Sequence, residues 1–273
     1  MSWLEALILG VVQGLTEFLP VSSSGHIEIG QALLGTAGEG NLTFAVIVHA
    51  ATVFSTLVVL WSEVSKLFRG TFTTIKWNAE KDYVAKILVS MIPVFVVGVF
   101  FKDEVEALFG EGLLLVGVCL VVTSLLLSVS EWLQNKRQGQ GHEVGYKDAI
   151  IIGIAQACAV LPGLSRSGST IATGLLCGVK KESVAQFSFL MVLPLIFGAT
   201  AKMFIDAQSS GVLIMEQVSG SALLAGFIAA FFSGLIACKW MISLVKKAKL
   251  TWFAVYCLLV GLTVIGYSLF FKS

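Results

Sequence analysis

Residues 10–26, GVVQGLTEFLPVSSSGH, break an apolar stretch with a carboxylate, a proline and a polar turn. Residues 162–170, PGLSRSGST, break a second apolar stretch in a similar way. The apolar arms on either side have only about 10–17 residues, roughly half of what a helix needs to cross a bilayer. Short helices joined by a Pro/Gly/Ser turn are typical of re-entrant hairpins, because irregular backbone at membrane depth survives only against protein or in a water-filled cavity. We therefore predict such hairpins over residues 3–35 and 148–179.

The composition of the chain around these hairpins is that of an integral membrane protein. Of its 273 residues, 56% are apolar and 13% are charged, whereas soluble domains carry about 25% charged residues. The mean hydropathy of +0.90 and the net charge of +1 argue against a soluble enzyme, a disordered chain and a nucleic-acid-binding protein. We expect a single polytopic membrane domain over residues 1–273, with membrane lipids as partners and no nucleic acid.

Six further stretches lack Asp, Glu, Lys and Arg and are long enough, with a few flanking residues, to form membrane spans. They are residues 40–62, 87–101, 112–130, 184–201, 217–238 and 250–271. The sequence therefore predicts an all-α integral membrane protein with six transmembrane helices and two re-entrant helical hairpins, ten helices in total.

The two hairpins resemble each other, which predicts an internal repeat. Both contain a Gln, then Leu-Pro, then a Ser-x-Ser-Gly turn, and each is followed by three spans. The two halves are residues 1–132 and 148–271. Because an odd number of crossings separates the hairpins, they enter from opposite faces of the membrane. This is an inverted-topology repeat, in which the two polar tips meet near the midplane.

The distribution of basic residues orients the chain. Fourteen of the eighteen Lys and Arg residues fall on the face opposite the N-terminus, and Arg166 belongs to a hairpin tip. The N-terminal face receives only Lys102, Lys202 and Lys272. Because cytoplasmic loops carry the excess of Lys and Arg, both termini and the mouth of the first hairpin are predicted to face outward.

Glu17 and Arg166 are candidate functional residues because ionisable groups inside a membrane are costly. Gln13 and Glu17 are four residues apart and share one helical face beside the first turn. Two plainer interpretations stand beside this one. Glu17 could be an interfacial carboxylate capped by backbone, and Arg166 could form a structural ion pair with Glu17.

Both turns are suited to binding an oxyanion. Gly25 and Gly168 allow a ligand to approach the backbone closely, the following helix N-termini favour an anion, and Arg166 offers a planar fork that matches phosphate. Hydroxyl donors come from Ser22, Ser23, Ser24, Ser165, Ser167, Ser169 and Thr170.

The three histidines differ in their surroundings. His26 belongs to the first turn, whereas His49 lies inside an apolar span and His142 in a polar loop. We expect His26 to act at the site, His142 to be solvated, and His49 to be a core histidine, with a place in the cavity wall as the alternative.

Residues 10–26 and 162–170 resemble the two signature motifs of bacterial undecaprenyl-diphosphate phosphatases, the bacitracin-resistance family, written [E/Q]xxxE and PGxSRSxxT. The resemblance covers the whole chain. It implies hydrolysis of the terminal phosphate of undecaprenyl diphosphate, which regenerates the undecaprenyl phosphate carrier for cell-wall precursors. It also implies a bacterial cytoplasmic (inner) membrane, chemistry at the outer leaflet and help from a divalent cation, Mg²⁺ or Ca²⁺. A homodimer is a further expectation.

The same resemblance assigns roles to individual residues. The catalytic set is Glu17, Ser23, His26 and Arg166, with Glu17 also the expected ligand of the cation. The attacking group is Ser23, activated by Glu17 or His26 as the base, or it is His26 itself or an activated water. Gln13 is the allowed variant where many members have Glu, so one carboxylate stands here instead of two. The chemistry of the two turns, with Gln13 beside them, gives the expected phosphate-binding residues, which are Gln13, Ser22, Ser24, Gly25, Ser165, Ser167, Gly168 and Thr170.

A secondary transporter or flippase for a polyprenyl phosphate lipid is the competing interpretation. Inverted repeats with broken helices that meet at the midplane are typical of transporters, and a fold does not determine a function. The assembled acid, hydroxyl, imidazole and guanidinium groups favour the enzyme.

Overall fold

The computed structural model describes residues 1–36, 41–108, 112–137, 140–210, 218–247 and 249–271. The described residues form helices and no β-strand, which confirms the predicted all-α class. In chain order the helices are α1 (Trp3–Phe18), α2 (Ser23–Leu34), α3 (Asn41–Val59), α4 (Trp61–Phe72), α5 (Ala79–Phe100), α6 (Lys102–Leu108), α7 (Leu113–Lys136), α8 (Tyr146–Cys158), α9 (Arg166–Leu176), α10 (Lys181–Ser210), α11 (Gly220–Lys247) and α12 (Thr251–Phe271).

Five of these helices, α5, α7, α10, α11 and α12, are long and apolar enough to cross a membrane. They correspond to the last five predicted spans, although α5 begins earlier than predicted, at Ala79, where Asn78 caps it. The first predicted span, residues 40–62, corresponds to α3, which passes the same test only together with α4 across a bend of 79°. The described residues therefore contain five or six candidate spans, consistent with a multi-pass membrane protein.

The prediction of ten helices is wrong, because α4 and α6 were not expected. A search for uncharged stretches passes over both, since α4 carries Glu63, Lys66 and Arg69 and α6 begins with three charged residues. In α4 the exposed aromatic residues Trp61 and Phe68 alternate with these charges, as expected of a helix that lies at a membrane surface.

Helix breaks occur at both positions where the sequence predicts hairpins. The chain turns through residues 19–22 between α1 and α2, and through residues 159–165 between α8 and α9. Ser22 and Ser165 then cap the next helix, because each hydroxyl accepts a hydrogen bond from the backbone N–H three residues ahead. The four helices have 11 to 16 residues, too few to cross about 30 Å of hydrocarbon. The broken helix pairs are thus confirmed, and the depth of their tips in the membrane stays a prediction.

Helices of the two proposed halves pack extensively against each other. α1 packs along α11, α8 packs along α5, and α7 packs against α12. Small residues permit the first of these contacts, since a Cβ atom on Gly10 would lie 2.4 Å from the carbonyl oxygen of Gly226. The internal repeat and its inverted topology stay predictions.

The predicted sidedness can be tested with single cysteines at two exposed positions. In a Cys158→Ala background, which removes an exposed native thiol, a cysteine at Ser2 is expected to react with a membrane-impermeant thiol reagent in intact cells. A cysteine at Gln140 is expected to react only after the membrane is permeabilised. The reverse labelling pattern would contradict the orientation deduced from the basic residues.

Candidate active site

Glu17 lies at the centre of a cluster of polar side chains between the two turns. It is in the last turn of α1, with its side chain only 7% exposed. Its Oε2 accepts hydrogen bonds from Ser23 Oγ at 2.6 Å and from Gln13 Nε2 at 2.9 Å, and its Oε1 pairs with the guanidinium of Arg166. The cluster therefore joins the acid, the hydroxyl, the amide and the cation that the sequence singled out.

Arg166 comes to Glu17 from the other half of the chain. It is the first residue of α9, directly after the cap residue Ser165, and its Nη1 lies 3.5 Å from the carbonyl oxygen of Ser188 on α10. The expected ion pair with Glu17 is present. Glu17 and the partly buried Arg166 stabilise each other, because either charge alone would be costly away from water.

The two turns contact each other directly. The hydroxyl of Ser167 donates to the carbonyl oxygen of Leu19 at 3.0 Å. A Cβ atom on Gly25 would lie 3.0 Å from the Cα of Gly163, and Gly163 itself has a φ of +88°, which favours glycine. Backbone contact of this kind fixes the distance between the Glu17 side and the Arg166 side of the cluster.

The three consecutive serines of the first turn have different contacts. Only Ser23 reaches Glu17. Ser22 has a φ of +69°, caps α2 through Gly25 N and lies 3.3 Å from the hydroxyl of Ser24. The positive φ of Ser22 rotates the chain so that Ser23, the next residue, directs its hydroxyl to the carboxylate.

His26 is held apart from the carboxylate. Its Nδ1 lies 2.7 Å from the carbonyl oxygen of Ser22, and its Nε2 lies 2.8 Å from the hydroxyl of Tyr256 on α12. Both ring nitrogens are therefore engaged with groups other than Ser23 and Glu17. No motif or spacing in the sequence points to Tyr256, which lies in the last apolar span.

Three of the four hydroxyls of the second turn are occupied by contacts within the protein, whereas the buried Oγ of Ser169 has no hydrogen-bond partner among the described residues. Ser165 caps α9, and its backbone N–H donates to Thr123 Oγ1 at 3.1 Å. Thr170 donates to the carbonyl oxygen of Arg166 at 2.9 Å and shares a 2.6 Å hydrogen bond with Ser188. These contacts make the start of α9 rigid. The expected phosphate-binding role of Ser165, Ser167, Gly168 and Thr170 stays a prediction.

The expectation that His49 is a core histidine is wrong. Its Nε2 lies 3.5 Å from Glu17 Oε2, and its Nδ1 lies 2.7 Å from the carbonyl oxygen of Ala45. The alternative, a place in the wall of the site, describes it correctly. A signal was present in the sequence, because His49, Thr52 and Thr56 recur at helical spacing in an otherwise apolar span.

The cavity beside the ion pair is small. It has a volume of about 10 Å³ and is lined by Glu17, Arg166, Thr52, Thr56 and apolar residues of α10. This volume is about that of one water-sized probe, so a diphosphate cannot enter without movement of the side chains. The side chains around Glu17 and Arg166 therefore leave room for little more than a water molecule.

Comparison with known proteins gives the family. The family model described as Bacitracin resistance protein BacA matches residues 6–263, a range that includes the whole cluster around Glu17. The chain belongs to the BacA family. Three similar proteins are named undecaprenyl-diphosphatase. The relatives from Bacteroides fragilis and Parabacteroides distasonis are 58% and 57% identical to this chain, and each alignment covers 98% of this chain and 99% of the relative. The relative from Christiangramia forsetii is 51% identical, and the alignment covers 97% of each chain.

Proposed function

We propose that this BacA-family protein hydrolyses undecaprenyl diphosphate to undecaprenyl phosphate and inorganic phosphate. The reaction recycles the lipid carrier of cell-wall synthesis and gives resistance to bacitracin. Relatives that bear the name of this activity align with nearly the full chain. The single observation that carries the proposal is that one buried carboxylate, Glu17, is shared by the hydroxyl of Ser23 and the guanidinium of Arg166.

Substrate binding requires the ion pair to open. The small cavity has no room for a diphosphate, so the terminal phosphate takes the place of Glu17 as the partner of Arg166. The planar guanidinium grips two phosphate oxygens at once, and the N-terminus of α9 adds a favourable dipole. Glu17, released from the guanidinium of Arg166, is then free to accept a proton.

The released carboxylate then activates Ser23. Glu17 Oε2 already accepts a 2.6 Å hydrogen bond from Ser23 Oγ. It therefore takes the hydroxyl proton as Oγ attacks the terminal phosphorus. The bond from phosphorus to the bridging oxygen breaks, and undecaprenyl phosphate leaves with the electron pair. Glu17 gives its proton to this leaving group, and as a carboxylate again it deprotonates the water that attacks the phosphoserine. The bond from phosphorus to Ser23 Oγ breaks as Oγ takes the proton back from Glu17, which restores the serine and releases inorganic phosphate. The contacts of His26 with Ser22 and Tyr256 argue for Glu17 rather than His26 as the base.

A divalent cation fits this site only together with the substrate. The described residues include no group of three His, Cys, Asp or Glu side chains that could hold a metal. Glu17 and Gln13 Oε1, a buried oxygen with no hydrogen-bond partner among the described residues, would supply hard oxygen ligands. Mg²⁺ is commonly held by one or two carboxylates and by substrate phosphates. Such a cation would neutralise charge on the diphosphate.

The location and the partners complete the proposal. We place the protein in the cytoplasmic membrane of a bacterium, with both termini and the mouth of the first hairpin on the outer side. This sidedness gives the site access to lipid diphosphate of the outer leaflet. The homodimer expected from the sequence stays a prediction.

Transport of a polyprenyl phosphate is the second candidate function, favoured by the two broken helix pairs that contact each other. One experiment separates the two candidates. The purified protein in detergent, where no two sides exist, is expected to release inorganic phosphate from undecaprenyl diphosphate. If the wild-type protein releases none under conditions in which it is folded, the enzyme is excluded and transport is favoured.

Substitution of Arg166 by lysine tests the phosphate grip. Arg166→Lys keeps the positive charge but loses the two-pronged contact, so we expect kcat/KM to fall about 10²-fold or more. The matched control is Arg137→Lys, because Arg137 donates from both Nη atoms to carbonyl oxygens at the opposite end of α9. The measurement is kcat/KM for phosphate release by Arg166→Lys and by Arg137→Lys. Near-wild-type turnover by Arg166→Lys would show that another group grips the phosphate.

A further inference from the structure

The imidazole of His26 is fixed by two hydrogen bonds from different parts of the fold. A carbonyl oxygen only accepts, so the 2.7 Å contact with the carbonyl of Ser22 requires a proton on Nδ1. The neutral ring then presents an unprotonated Nε2, which accepts the hydroxyl proton of Tyr256 at 2.8 Å. The planes of the two rings differ by only 10°, with centroids 5.6 Å apart.

A second contact supports the approach of α12 to this turn. Cys257, the residue after Tyr256, is buried and places its Sγ 3.6 Å from the carbonyl oxygen of Pro20. Two consecutive residues of α12 therefore contact the first turn. Tyr256 is 44% exposed in a helix long and apolar enough to cross a membrane, and hydrocarbon offers its hydroxyl no hydrogen-bond partner. His26 therefore satisfies the hydroxyl of Tyr256.

We propose that Tyr256 is a positioning residue for His26, an inference that rests on the phosphatase function proposed above. Its hydroxyl holds His26 in the Nδ1–H tautomer and fixes the ring at the N-terminus of α2, the end of a helix that favours an anion. Because Nε2 is directed to Tyr256, the ring does not compete with Glu17 for the proton of Ser23. Tyr256 thereby keeps the acid–base roles of Glu17 and His26 separate.

Removal of the hydroxyl tests this role in turnover. Tyr256→Phe keeps the aromatic ring, and we expect kcat to fall about tenfold while KM stays within about twofold, in line with the loss of one hydrogen bond in an ordered site. The matched control is Tyr146→Phe, which also removes a 2.8 Å hydrogen bond, from Tyr146 to Asp82 at the start of α5. This control is expected to keep the wild-type kcat.

A spectroscopic measurement and a double variant separate positioning from a merely structural role. In ¹⁵N-histidine-labelled protein in detergent, with the His26 signals identified by their loss in His26→Ala, the Nε2 signal is expected to move in Tyr256→Phe and to stay in Tyr146→Phe. Because Tyr256 acts through His26, adding Tyr256→Phe to His26→Ala is expected to leave kcat unchanged.

Three results would overturn the role of Tyr256. They are unchanged His26 signals in Tyr256→Phe, a kcat of this variant equal to that of the wild type, and a further fall of kcat when Tyr256→Phe is added to His26→Ala. The last result would mean that Tyr256 acts on the substrate directly. A wild-type protein that releases no phosphate would instead overturn the phosphatase function itself, and the histidine spectra would still report on the contact.

Discussion

Ser23→Ala is expected to lower kcat by about 10³-fold or more, because the loss of a covalent nucleophile leaves only the electrostatic grip on the substrate. Ser23 is the one hydroxyl of its turn that donates to Glu17. Binding of undecaprenyl diphosphate is expected to persist in this variant, since Arg166 and the start of α9 are unchanged. Phosphate release in detergent and lipid binding are the two measurements.

The neighbouring serines are the matched controls for Ser23. The hydroxyl oxygens of Ser22 and Ser24 lie 3.3 Å apart, and the Ser22 hydroxyl caps α2. We therefore expect Ser22→Ala and Ser24→Ala to keep measurable rates of phosphate release, with losses of about 10²-fold at most. If Ser23→Ala keeps a tenth or more of the wild-type kcat, serine catalysis at this position is wrong. His26 or an activated water would then be the attacking group.

Glu17→Gln is expected to have a comparable effect for two reasons. The amide cannot take a proton from Ser23, which removes general-base catalysis worth about 10²–10⁴-fold. It also leaves the buried guanidinium of Arg166 without its charge partner, and breaking a buried pair in this way costs about 3–5 kcal/mol. We therefore expect kcat to fall about 10³-fold or more, together with a lower Tm.

A second buried carboxylate provides the control for this stability effect. Glu131 on α7 is 5% exposed and lies 3.5 Å from Lys181 Nζ and 3.3 Å from the backbone nitrogen of Leu250. Glu131→Gln is expected to lower Tm with little change in kcat. If Glu17→Gln retains kcat within tenfold of the wild type, Glu17 is not the base.

Glu17 and Arg166 were predicted as site residues because both are charged residues within apolar segments. Each also lies next to a polar turn, which an uninterrupted apolar helix would not contain. Such predictions use only residues that are close together within one helix or turn. The spacing of Gln13 and Glu17, and the caps at Ser22 and Ser165, were predictable for the same reason.

Residues that join the site from distant helices were harder to predict. His49 lies inside an apolar span, where a core histidine is the more common case, and its place beside Glu17 emerges only when α3 packs against α1. Tyr256 lies 230 positions after His26, in a helix whose sequence resembles an ordinary lipid-facing span. Helix α4 was not predicted, because a helix at a membrane surface carries charged residues and the search for spans considered only uncharged stretches.

The stereochemical course at phosphorus is the most direct test of attack by Ser23. Undecaprenyl diphosphate with a terminal phosphorothioate made chiral by oxygen isotopes would be hydrolysed in isotopically labelled water, and the configuration of the released thiophosphate determined. Two successive in-line displacements, through phosphoserine and then water, predict net retention of configuration. Net inversion would mean that water attacks the diphosphate in a single step, which would contradict the covalent role of Ser23.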